Sequence, residues 1–122
     1  MAKQLSAILL ILFTTIPCLA QTLYLDEQFN YQQHSGIVFT TKPTALPAAT
    51  IDLQLELFSP TGNNVPIQKP ALVLIHGGGF AVGNRFNSRL SQLCKDIAKR
   101  GWVCAQIDYR RSGDHPIFDP PI

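Results

Sequence analysis

Hydrophobic and polar positions divide the chain into segments of different period. Residues 50–58 alternate, with Ile51, Leu53, Leu55 and Leu57 on one side and Asp52, Gln54 and Glu56 on the other. Period two with one polar face predicts a half-buried strand near a sheet edge. Residues 71–75 (ALVLI) are apolar without alternation, the pattern of a central parallel strand covered on both faces. Leu90, Leu93, Cys94, Ile97 and Ala98 then fall on a single stripe of period 3.6, which predicts a helix. Asn87 or Ser88 can cap its start, Lys99 and Arg100 suit the negative end of its dipole, and Gly101 suits the position just past it. Residues 102–109 (WVCAQIDY) read as the next strand, and residues 36–41 (GIVFTT) are β-rich.

Residues 42–49, with Pro43 and Pro47, and residues 59–64 (SPTGNN) read as a loop and a turn. Residues 21–35 carry no clear period. The order strand, glycine loop, helix, strand predicts a right-handed crossover between parallel strands, entered from antiparallel edge strands. The class is therefore α/β. Residues 110–122, with Pro116, Pro120 and Pro121, read as a loop.

The first twenty residues differ from the rest. Lys3 is the only early charge, residues 5–16 are apolar apart from Ser6, Thr14 and Thr15, and Pro17 precedes small residues at Cys18 and Ala20. This is the layout of a secretory signal peptide, cleaved after Ala20, and it predicts a secreted or periplasmic protein. The apolar run is shorter than the about 20 residues that span a bilayer, so stable membrane insertion after cleavage is not expected. Cys94 and Cys104 remain in the mature part. Export makes a disulfide chemically permissible, yet one lies on a predicted apolar helix face and the other inside a predicted strand, where free Cys serves as a small hydrophobe. Whether they are bonded stays open.

The other residue types exclude more than they specify. With 46% apolar and 15% charged residues the composition is globular. A net charge of +2, with no basic stripe, gives no reason to expect a nucleic-acid partner. No Cys/His spacing suggests a metal, and no motif suggests a cofactor.

The chemistry lies in His76-Gly77-Gly78-Gly79-Phe80, directly after the ALVLI run. Three successive glycines imply positive φ or a close approach to the main chain, either as a tight turn or as a cradle of backbone N–H groups for an anion. The Gly-Lys-Ser/Thr of a phosphate-binding loop and the GxGxxG spacing are both absent. The strand before the glycines, the sequence LCKDIAKRGWVCAQIDYR after them, and Asp108-Tyr109-Arg110 at the end of the next strand resemble the α/β-hydrolase carboxylesterases and the hormone-sensitive-lipase-like group over about residues 50–111.

That resemblance implies the N-terminal portion of an α/β-hydrolase fold, with antiparallel edge strands followed by a βαβ unit and an incomplete sheet. It implies an oxyanion hole whose donors are the N–H groups of Gly78 and Gly79, completed by the residue after a serine nucleophile. His76, Gly77 and Phe80 would complete the loop. His76 would be an anchor rather than a base, and Phe80 would either shape an acyl pocket or pack under the loop. The substrate would be a carboxylic ester, small or linked to a polysaccharide.

The resemblance also marks what is missing. The family nucleophile lies in Gly-x-Ser-x-Gly, and none of Ser35, Ser59, Ser88, Ser91 or Ser112 has those flanking glycines. His34 and His115 are lone histidines, and Asp114 is adjacent to His115 in sequence rather than placed to orient it. No nucleophile, acid or base is therefore assigned. The expectation is a signal peptide at 1–20 followed by a hydrolase segment at 21–122 that stops before the nucleophile elbow and is inactive alone. The alternatives are a non-catalytic binding protein of the same fold and a truncated gene remnant.

Overall fold

The computed structural model describes residues 23–45 and 49–114. The signal-peptide reading of residues 1–20, and His115, lie outside them. The described elements are strand β1 (Asn30–Pro43), strand β2 (Thr50–Thr61), strand β3 (Ala71–Ile75), helix α1 (Ser88–Lys99), strand β4 (Val103–Ile107) and a single 3-10 turn, Ser112–Asp114. The sheet runs β1-β2-β4-β3. β1 and β2 form a long antiparallel ribbon, β2 pairs antiparallel with β4, and β3 pairs parallel with β4 through the α1 crossover. The sheet is thus mixed, with the expected strand-helix-strand unit at one side.

Register decides which residues meet. Phe58 lies opposite Cys104, Cys104 opposite Leu72, Glu56 opposite Gln106, and Gln106 opposite Leu74. These positions share the face on which α1 lies. There Phe58, Cys94, Ala98 and Cys104 are buried together, flanked by Tyr31, Leu72, Leu74 and Ile97. Asn87 caps α1, its side chain accepting the N–H groups of Arg89 and Leu90. The helix ends as the residues require. Gly101 has φ +92° and donates to the Ala98 carbonyl, and a Cβ there would stand 3.0 Å from the Phe29 ring. The chain before β1 closes this end of α1, Gln28 and Phe29 both donating to the Lys99 carbonyl at 2.9 and 3.0 Å.

One open question closes and three expectations change. Cys94 and Cys104 are joined in a disulfide, with Cα atoms 5.2 Å apart, because the helix stripe and the strand register bring both to the centre of the core. The polar side of β2 is covered at Glu56, only 2% exposed, which shares a face with Phe58 and is engaged by Gln33 and Gly36 of β1 and by Arg85 of the glycine loop, whereas Asp52 is exposed and Leu53 on the apolar side is buried. β3 is not covered on both faces, since Val73 and Ile75 point away from α1 and are 55% and 63% exposed. β1 is longer than the β-rich run suggested. It begins in the unassigned segment and reaches Pro43, with register shifts between His34 and Ile37 and between Val38 and Thr40.

Candidate active site

The glycine loop leaves the C-terminal end of β3 and returns to start α1. Gly78 and Gly79 have φ of +133° and +60°, and Phe80 shares this left-handed backbone at +60°. Such a conformation costs a non-glycine residue about 1–2 kcal/mol. It curls the chain so that Ala81 and Val82 both donate to the Gly78 carbonyl at 3.1 Å. A Cβ on Gly78 would run into the Val82 carbonyl oxygen. A Cβ on Gly83 would stand 2.6 Å from both the Gly77 oxygen and the His76 ring. Gly79 faces open space, so only its φ calls for glycine. Among the described residues, the N–H groups of Gly78 and Gly79 have no protein acceptor.

His76 is buried at 4% exposure. Its Nδ1–H donates to the Gly77 carbonyl at 2.8 Å, and its ring stacks on Tyr109 with centroids 4.3 Å apart. The Tyr109 hydroxyl in turn donates to the His76 carbonyl at 3.1 Å. Phe80 is 72% exposed and meets the Tyr109 ring edge-on at 5.6 Å, so it stands at the rim of the loop rather than beneath it. Ile75, His76, the three glycines, Phe80 and Tyr109 enclose an open recess of about 190 Å³.

The segment after β4 grips the loop at further points. Ser112 donates its N–H to the Phe80 carbonyl at 2.8 Å. Arg111 donates to the Gly83 carbonyl at 3.1 Å and is held by Asp114, whose two oxygens take the Arg111 N–H, Nε and guanidinium. The Asp114 hydrogen bonds, followed by its charge, push the Arg111 pKa further up.

Where the loop returns, Arg85 forms the most connected polar cluster of the described residues. Asp108 accepts the Arg85 N–H at 2.8 Å with one oxygen and its guanidinium at 2.5 Å with the other. The same guanidinium donates to Glu56 at 2.9 Å and to Gln54 at 2.8 Å. Glu56 also accepts from Gln33 at 3.1 Å and from the Gly36 N–H at 3.2 Å. Burial pushes the Glu56 carboxyl up, but the hydrogen bonds from Ser35, Arg85, Gln33 and Gly36 outweigh it and hold the pKa below the ordinary glutamate value. Burial likewise works against the Arg85 charge, and its bonds to Glu56 and Asp108 more than offset that.

The structure therefore places His76, Gly77, Gly78, Gly79 and Phe80 in one loop around one recess. It adds Tyr109, Arg111, Ser112 and Asp114 behind the loop and Arg85, Asp108 and Glu56 at its return. Asp108 and Tyr109 were visible as part of a motif, but nothing in the sequence linked Arg85 to Glu56, 29 residues away. His34 lies exposed on β1, far from the loop in register, opposite Leu57. No group of three or more His, Cys, Asp or Glu that could hold a metal occurs among the described residues.

The described sheet is mixed, in β1-β2-β4-β3 order, with the glycine loop at the C-terminal end of the parallel strand β3. The BD-FAE family model matches residues 55–119, just over half of the chain, and the chain belongs to that esterase-like family. Among curated proteins it is similar to the tuliposide A-converting enzymes b1 and b2, amyloplastic, of Tulipa gesneriana, each 33% identical over 82 residues. Those matches cover 63% of this chain and 21% of each relative, so the chain spans about a fifth of their length. Two solved structures are similar in fold. A bacterial heroin esterase matches at 23% identity and a TM-score of 0.44, covering 75% of this chain and 26% of its own. Brefeldin A esterase, a bacterial homologue of human hormone sensitive lipase, matches at 24% identity and a TM-score of 0.48, covering 76% and 25%.

Proposed function

We propose that residues 76–80 form the oxyanion hole of a secreted serine-type carboxylic ester hydrolase. The observation that carries this reading is the pair of unengaged N–H groups of Gly78 and Gly79, in a loop held from outside at four points beside an open recess. Acyl transfer builds negative charge on the former carbonyl oxygen, and donors already aimed at that charge need no reorganisation during the reaction. A cradle of two main-chain N–H groups suits a single oxyanion. Removing one such donor costs about 3–4 kcal/mol of transition-state stabilisation.

His76 serves as an anchor in this account. Its Nδ1–H is spent on the Gly77 carbonyl, and its ring is buried between Tyr109 and Gly83, so its contacts serve to fix the loop. The nucleophile itself must come from a Gly-x-Ser-x-Gly segment, which does not occur in these 122 residues, so they do not hydrolyse esters alone. Export is supported by the layout of residues 1–20 and by the Cys94–Cys104 disulfide, a bond that persists in oxidising compartments. The substrate is a carboxylic ester, small or carried on a polysaccharide.

The test is turnover of an aryl ester by the full-length protein and its Gly78→Val variant. The expected result is a fall in kcat of about 100- to 1000-fold with the sheet and helix still folded, because a side chain at position 78 meets the Val82 carbonyl and displaces both donors. Unchanged turnover would remove the oxyanion role.

A further inference from the structure

The loop that presents Gly78 and Gly79 has only short-range ties of its own: two bonds to the Gly78 carbonyl, the His76 bond to the adjacent Gly77 carbonyl, and the Asn84 side chain accepting the Phe86 N–H. Its shape is imposed from outside. Tyr109, Ser112 and Arg111 each take one loop carbonyl, at His76, Phe80 and Gly83. The contact at Arg85 is different in kind. Asp108 takes the main-chain N–H of Arg85 with one oxygen and its guanidinium with the other, so backbone and side chain are fixed to the end of β4 together. The guanidinium then reaches Glu56 and Gln54 on β2. Asp108 is itself tied to that strand, its N–H donating to the Gln54 carbonyl at 2.9 Å. One residue thus pins the returning loop to two strands.

We propose that Arg85 is the positioning residue of the oxyanion loop, setting where Gly78 and Gly79 stand relative to the sheet. This rests on the reading of the loop as an oxyanion hole. Arg85 does not line the recess, so it acts through the main chain and not through the ester. The position suits arginine alone. A planar fork of donors serves three acceptors in different directions, which the point charge of lysine cannot do. The surroundings suit a built anchor as well: the Arg85 side chain is 13% exposed, Glu56 2% and Asp108 18%. Catalytic donors must be held to a fraction of an ångström, and a shift of about 1 Å lowers rates about a hundredfold.

The experiment compares the full-length protein with its Arg85→Met and Arg85→Lys variants, by amide hydrogen exchange and by turnover of an aryl ester. For Arg85→Met, exchange in peptides over residues 77–86 accelerates about tenfold or more, while peptides from α1 and β4 keep their protection. The same variant loses about 10- to 100-fold in kcat, with KM changed by less than about twofold. Arg85→Lys, which keeps the charge but not the fork, falls between wild type and Arg85→Met in both readouts.

A folded Arg85→Met variant with an unchanged loop would overturn the proposal. So would an equal acceleration in α1, β4 and the loop, which would make Arg85 a general stabilising residue. If Arg85→Met does not fold, Arg85→Lys decides by the same two readouts. The two readings fail separately. An active Gly78→Val variant would sink the oxyanion hole and leave the exchange result standing, whereas a fully active Arg85→Met variant with a rigid loop would sink only the positioning role.

Discussion

Gly78 and Gly83 are glycines because main chain or a ring occupies the space a Cβ would need, and Gly79 is one because of its φ. The sequence pointed to all three glycines of the run, as positive φ or a close approach to the main chain, and at Gly78 both hold: φ is +133° and the Val82 carbonyl folds back over it. Gly83 carried no signal, because its neighbour His76 is distant along the chain and meets it only once the loop has curled. Gly83→Ala is accordingly expected to push His76 off the Tyr109 ring and lower stability by about 1–3 kcal/mol, measured by denaturant unfolding.

Glu56 is the second residue whose role the sequence concealed, since alternation placed it on an outer polar face. Its folded pKa lies below the ordinary value, so its contribution to stability is complete above that ordinary value and is lost as pH falls through the depressed folded value. Glu56→Gln should cost about 1–3 kcal/mol at neutral pH. The difference in Tm between wild type and variant should then shrink on acidification below about pH 4.5. A difference independent of pH would show that the Glu56 charge has no part in holding the loop.

At the scale of elements, periodicity located every strand core and the helix, and the capping residue Asn87 was among the two expected. The stripe and the cap are local physics, readable within about four residues. What could not be read was which face the helix covers, because that depends on the β2-β4-β3 register. The disulfide follows from the same register. It ties α1 to β4 across the buried core of Phe58, Cys94, Ala98 and Cys104. Closing a loop of this length is worth about 3 kcal/mol. Thermal unfolding of the full-length protein with and without a thiol reductant should show a lower Tm when reduced, and an unchanged Tm would mean that packing alone holds α1.

At the scale of the molecule, the described helix covers one side of the sheet. The face away from α1 carries Ile37, Leu55, Leu57, Ala105, Ile107, Val73 and Ile75 in adjacent registers, and β3 is the outer strand among the described residues. A strand edge and an apolar face of this size favour self-association when uncovered. Residues 21–122 produced alone should therefore sediment as aggregates or fail to melt cooperatively. A monomer with a sharp transition would contradict that expectation.

The central claim is that Gly78 and Gly79 stabilise an oxyanion, and the most direct measurement uses a ligand that carries that charge. Trifluoromethyl ketones add to an esterase serine as hemiketals and place an oxygen anion in the hole. Their inhibition constants should be measured for the full-length protein and for Gly79→Ala, whose Cβ would meet open space and leave the Gly78–Val82 turn in place, alongside kcat/KM for an aryl ester. The account predicts that the inhibition constant weakens by the same factor as kcat/KM falls, about 100-fold or more, while binding of an uncharged ester analogue changes little. Equal weakening for the charged and uncharged ligands would contradict it, because the loop would then be a wall of the pocket and not a hole for the oxyanion.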